Sequence, residues 1–200
     1  MSLESQIAAL VTASNALTSE VSGKITQINA ALNNAINTIG IIDTPTTLEV
    51  GPGKPFATIQ QAIDHLNGKI LRANVTIKLS DGDHYANSIV IETQPYGGRI
   101  SIVGNTVNPA ACRIVWTPDS NGYSHGLIVS GSRVRVAGIK FIGSATDSHV
   151  TWRSLLAHKG GRIDASGGDV IIDGGVYGAE AYFNSMAYVD GISITGCVSS

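Results

Sequence analysis

A mainly β fold built of many short strands, set behind one long N-terminal helix, is what the sequence predicts. Three observations predict it. Glycine supplies 23 of the 200 residues and charged side chains only 14%, while 43% are hydrophobic; ordinary domains carry roughly 7% glycine and about 25% charge. Beyond Tyr85 the chain is a succession of short Val/Ile-rich runs divided by Gly, Asn, Asp and Ser, the residues that turns require. The first forty or so residues follow a different rule, with apolar positions alternately three and four apart.

Residues 1–42 form the helical regime. Leu3, Ile7, Leu10, Ser14, Leu17 and Val21 occupy heptad a and d positions; Ile25, Ile28, Leu32, Ala35 (or Ile36) and Ile39 resume after a slip in phase, which is a stutter in a coiled coil. The intervening residues are Ser, Thr, Asn, Gln and Ala rather than Glu/Lys pairs, so the flanking charge code is nearly absent. A single amphipathic helix packed on its own domain is the alternative. A coiled coil is favoured because the pattern is long for a globular helix and has no second helix of matching length. The oligomerisation seam is therefore Leu3, Ile7, Leu10, Leu17, Val21, Ile25, Ile28 and Leu32. Residues 43–55 are a junction, opening on Asp43 and ending in the turn-rich Gly51, Pro52, Gly53 and Pro55.

The body, residues 56–200, opens on a short helix over 58–67. Thr58 followed by Gln61 fits a capping box, Ile59, Ala62, Ile63 and Leu66 form an apolar stripe, and Gly68 sits where a helix stops. Val75, Ile77 and Leu79 then alternate with Thr76 and Lys78 as a strand closed by Asp81-Gly82. A lone helix with one apolar stripe needs a surface to cover, and the strands that follow supply one: the helix is read as a cap on the first turn of a β-solenoid.

PFATIQQAIDHL followed by VTIKLSDGDHY resembles the N-terminal part of the right-handed parallel β-helix in phage tail fibres and tailspikes and, more distantly, the pectate-lyase-like superfamily. The resemblance runs from about Val50 to the end. It implies a trimeric coiled coil, a right-handed parallel β-helix with an N-terminal capping helix, and a place in the virion. That family includes both enzymes and plain adhesins.

Short β runs are expected at 88–92, 99–103, 113–116, 127–129, 133–137, 139–142, 162–164, 170–172 and 191–195. Similar elements recur at an interval near 25, through Ile77, Ile102 and Ile128, then Phe141, Ile163 and Tyr188. A β-sandwich of hairpins is the rival arrangement, weakened by the scarcity of two-residue turns between matched strands. The last strand signal, GISITGCVSS, is followed by no capping segment, from which continuation into a longer protein is expected.

The formal net charge is −2 and the pI near 6.2. Arg133, Arg135 and Lys140 share one strand-rich stretch, but three charges do not make a phosphate-tracking groove, so no nucleic-acid partner is expected. No run approaches the ~18 apolar residues of a membrane span, and no basic-then-apolar leader opens the chain; synthesis in a host cytoplasm is expected. Cys112 and Cys197 lack any metal or redox spacing and are read as reduced thiols in strands.

No cofactor or metal motif is present. The histidines lack HxxxH spacing, and neither a Walker loop nor a GxSxG elbow occurs. Carboxylates are the candidates for chemistry, because glycan hydrolysis uses two of them close together. Most adjoin Gly, Ser or Asn and read as turn formers; Asp164 and Asp190 would stack as a pair if one period separates them. Tyr177, Tyr182 and Tyr188 are candidate glycan contacts, with core stacking as the plain alternative. The expectation is thus a phage tail fibre or tailspike component that connects the tail to, or joins in, host receptor binding. Its partners would be two further copies of itself, other tail or baseplate proteins and host polysaccharide. The alternative is a polysaccharide depolymerase acting on capsule or lipopolysaccharide.

Overall fold

A computed structural model describes residues 2–92 and 97–199. The chain divides into two compact units, Met1–Ile41 and Ile42–Ser200. The first unit is helix α1, Leu3–Ile39. Every described side chain of α1 is exposed, including the apolar seam, which ranges from 49% at Val21 to 72% at Leu3. The side chains of Ala35, Ile36 and Ile39 lie outside the described set.

The second unit is mainly β, and its strands are almost all parallel. A six-stranded sheet, the first sheet, is made of Thr46–Val50, Val75–Leu79, Ile100–Val103, Arg133–Ala137, Arg162–Asp164 and Met186–Tyr188, lying side by side in sequence order. An eight-stranded sheet has two arms that share the long strand Val170–Ala181. One arm runs through Gly82–Ala86, Cys112–Trp116 and Ile139–Ile142 to the front half of that strand and on to Ser193–Ser199. The other runs through Ser88–Ile91, Gly126–Ser130 and Arg153–His158 to its rear half. The chain visits first sheet, front arm and rear arm in that order and then repeats the circuit. Ala145–Thr146 pairs antiparallel with His149–Thr151.

Register explains the core. Val75, Ile100, Val134 and Ile163 align across the first sheet, Ile114, Phe141 and Ile172 across the front arm, and Ile89, Leu127 and Leu155 across the rear arm, all buried. Alternation along each strand sends these β-branched and large apolar residues to one side, where each contributes about 1.5–3 kcal/mol of transfer free energy. Phe141 also stacks on Trp116, with ring centroids 5.9 Å apart and planes 14° from parallel. Cys112 is in the same cluster and Cys197 packs against it; both are free thiols.

Helix α2, Ile59–Asp64, begins with a complete capping box: the Gln61 N–H donates to Thr58 Oγ1, and the Thr58 N–H donates back to Gln61 Oε1, each at 3.2 Å. It is shorter than the stripe over 58–67 suggests. After His65 the bonds tighten to three-residue closures, Leu66 to Ile63 and Asn67 to Asp64, and Gly68 turns the chain at φ +76°. Ile59, Ala62, Ile63 and Leu66 are buried. Gln60 reaches the outermost strand of the rear arm, where its Oε1 accepts the Val90 N–H at 3.1 Å and its Nε2 donates to the Val90 carbonyl at 3.5 Å. One side-chain amide thus stands in for the neighbouring strand that Val90 lacks.

The interval near 25 holds at some steps, such as Ile77 to Ile102 and Ile163 to Ala187, and fails at others. Ile77 pairs with Ile102, but Val136 comes next in that column, while Ile128 lies in the rear arm between Val90 and Leu156. Loops of unequal length between strands, such as the one holding the short 3-10 turn Pro109–Ala111, shift the count.

Candidate functional site

Two surfaces stand out on the body. A concavity of about 620 Å³ lies between Gly51–Lys54, the start of α2 and the outermost front-arm strand Gly82–Ala86. Asp83 is its one lining carboxylate, and that group is ion-paired with Arg113 on the next strand and accepts the Tyr85 hydroxyl at 3.3 Å. His84 is 7% exposed, and its Nε2 lies 2.9 Å from the Ser80 carbonyl. The cleft therefore offers no second carboxylate to act with Asp83 as acid and base.

The second surface carries exposed aromatics near the start of the rear arm. Tyr123 and Trp152 are stacked, with centroids 6.0 Å apart and planes 28° from parallel. Backbone bonds tie the strands together: the Trp152 N–H donates to the Ser124 carbonyl and the Tyr177 N–H donates to the Trp152 carbonyl, each at 3.0 Å, and Tyr177 is aligned with Arg153. The three side chains are 36–39% exposed. Next to them Arg153 pairs with Glu180, donates from Nη2 to the Tyr182 hydroxyl at 3.1 Å, and places its guanidinium 5.3 Å from the centre of that ring. Exposed aromatic faces with polar neighbours are suited to stacking against the apolar face of a sugar.

Of the aromatics marked in the sequence, Tyr177 and Tyr182 belong to this surface. Tyr188 does not: it lies on the first sheet, with Arg162 4.4 Å from its ring centre. Sequence spacing missed Tyr123, because its neighbour Trp152 is brought to it only by the parallel register of the strands at 123–124 and 149–151.

The carboxylates behave mainly as structural acceptors. Asp164 is aligned with Tyr188, not with Asp190, so the register does not set the two acids side by side. Asp164 accepts the Ser166 hydroxyl at 2.6 Å, and this bond lowers its pKa from 3.8, with Arg135 and Arg162 assisting. Asp173 is lowered by Lys140, 2.7 Å away, and Asp119 by the backbone N–H groups of Tyr123 and Asn121. All three move away from the raised value that a general acid needs. Burial pushes the Cys112 thiol up to about 11, which keeps it protonated and unreactive. Among the described residues no group of three or more His, Cys, Asp or Glu side chains is placed to hold a metal, and no helix is long and apolar enough to cross a membrane.

The lowered carboxylates set an acid limit. Their folded pKa values lie below the unfolded value of 3.8, so the unfolded chain takes up protons first as pH falls. They stabilise the fold above about pH 4, and that contribution is lost as pH drops through the depressed values. Thermal unfolding followed by circular dichroism should give a flat midpoint from about pH 7 to 5 and a falling one below about 4. Asp173→Asn should make that fall shallower; a midpoint constant down to about pH 2 is the contrary result.

No protein-family model, curated protein or solved structure matches the chain.

Proposed function

We propose that the chain is a structural and adhesive component of a phage tail, a tail fibre or tailspike. In this reading α1 joins two further copies in a trimeric coiled coil, and the parallel sheets are the walls of a right-handed β-helix capped by α2. The observation that carries the proposal is the exposed apolar seam of α1, from Leu3 to Leu32, in a chain whose remaining residues stack parallel strands in register. Such a seam is an aggregation hazard unless identical helices cover it. The repeated circuit through first sheet, front arm and rear arm supports the β-helix, and the exposed Tyr123–Trp152 stack, with Tyr177 exposed on the next strand, supports contact with host glycan. The depressed carboxylates favour binding over cleavage. Other tail or baseplate proteins are the structural partners in this reading.

The test is solution mass by light scattering. The full chain should scatter as three copies of 20.8 kDa. Leu17→Asp with Val21→Asp, which place carboxylates in the seam, should reduce it to one copy without unfolding the β body. A monomeric wild-type chain removes the coiled coil and with it the fibre reading.

A further inference from the structure

Outward-facing cations on the eight-stranded sheet each have an acid beside them: Arg113 meets Asp83, Lys140 meets Asp173, and Arg153 meets Glu180. The first sheet breaks this pattern. Arg133 and Arg162 are register partners, and Arg99, preceding the partner of Val134, extends the same column. Parallel strands lie about 4.8 Å apart, so three guanidinium-bearing side chains leave the sheet at that interval. Arg135 adds a fourth one column away, aligned with Asp164.

Like charges on adjacent strands destabilise a sheet, and arginine cannot relieve the repulsion by losing its proton. Among the described residues none of these four arginines has a carboxylate within 4 Å, and the single acid that Arg135 and Arg162 act on from further away is Asp164. Arg99, Arg133 and Arg162, with Val134 and Asp164, line a hollow of about 80 Å³. The hollow is small and lined on several sides by guanidinium groups, which suits it to a compact charged group. Arg162 is held over the Tyr188 ring, its guanidinium carbon 4.4 Å from the ring centre, a contact that uses no carboxylate.

We propose that this hollow binds a tetrahedral oxyanion, a phosphate or sulfate, either free or as an ester on a larger ligand. The planar forks of neighbouring arginines match the oxygens of such a group, and its charge relieves the repulsion within the column. Asp164 sets the strength of the site, since its carboxylate competes with the anion for the same guanidinium groups. The proposal rests on the arginine column alone and does not depend on the chain being part of a phage tail.

Calorimetric titration of the full chain at fixed ionic strength tests it, with sodium phosphate, sodium sulfate and dextran sulfate as probes and neutral dextran as control. Saturable binding is expected, weakened about tenfold by Arg133→Gln or Arg162→Gln through loss of a charge-assisted fork. Asp164→Asn should tighten it several-fold, and its remaining side-chain oxygen can still accept from Ser166. Because that variant moves affinity in the opposite direction, loss of fold cannot imitate the expected result. Binding of the inorganic ions identifies a free-anion site, and arginine-dependent binding of dextran sulfate alone identifies an ester site; both support the proposal. No saturable binding of any probe overturns it. So does binding of dextran sulfate that all three variants leave unchanged, which would be general polyelectrolyte attraction.

Discussion

Ile63→Asp should leave no soluble, cooperatively melting protein. Ile63 is 1% exposed on the inner side of α2 and belongs to the same buried cluster as Leu48, Val50 and Ile77. A carboxylate there has no cation to meet, and the penalty for an unpaired buried charge is several kcal/mol even after relaxation. Net stabilities of about 5–15 kcal/mol leave little margin for such a loss. Ile63→Val is the matched control, losing about 1 kcal/mol and lowering the melting midpoint by roughly 2–4 °C. Soluble yield and a circular-dichroism melt decide the matter. A soluble Ile63→Asp protein melting within a few degrees of wild type would show that α2 is not part of the cooperative fold.

Gly126→Ala should be nearly as damaging, although it adds a single methyl group. Gly126 has φ +76°, and a Cβ at that position would lie 1.8 Å from the Arg153 carbonyl oxygen and 2.9 Å from that of Ser154. Both atoms belong to the backbone of the adjacent strand, so relief requires prising the two strands apart. The expected loss is about 4 kcal/mol or more, in the range reserved for broken backbone packing. Gly160→Ala separates the two causes: its φ is +78°, but nothing lies within 4 Å of the added carbon. It should lose only the ~1–2 kcal/mol of left-handed strain. Urea denaturation of the two variants, compared at equal slope, measures the difference. Equal losses at both positions would mean that conformational strain, and not the collision with Arg153, is what glycine avoids at position 126.

These contrasts show which features were legible in the sequence. The capping box of Thr58 and Gln61 is a contact between residues three apart, so spacing alone reveals it. Val75–Leu79 and Arg133–Ala137 were likewise visible, because their alternation is local. Gly82–Ala86 was not: Asp81-Gly82 reads as the end of a strand, yet with Gly82 at φ +116° the chain bends and starts another. The two surfaces were the least legible. Trp152 meets Tyr123, and Arg99 aligns with Arg133 and Arg162, only through register between strands joined by loops of unequal length. No fixed interval along the sequence encodes either one.

The side-chain amide of Gln60 on Val90 has a consequence for the order in which the chain acquires its shape during synthesis. The parallel pairs match a segment to one made shortly before it, from Ser88 with Gly126 to Ile171 with Ser193. A ribosome delivering ~5–20 residues per second presents each new segment to its template within seconds. Gln60 and α2 precede Val90 in the chain, so the outer edge of the rear arm can be closed before Gly126–Ser130 emerges to occupy the inner one. The amide thereby leaves one fewer open pairing position, at Val90, on the outer edge of the rear arm.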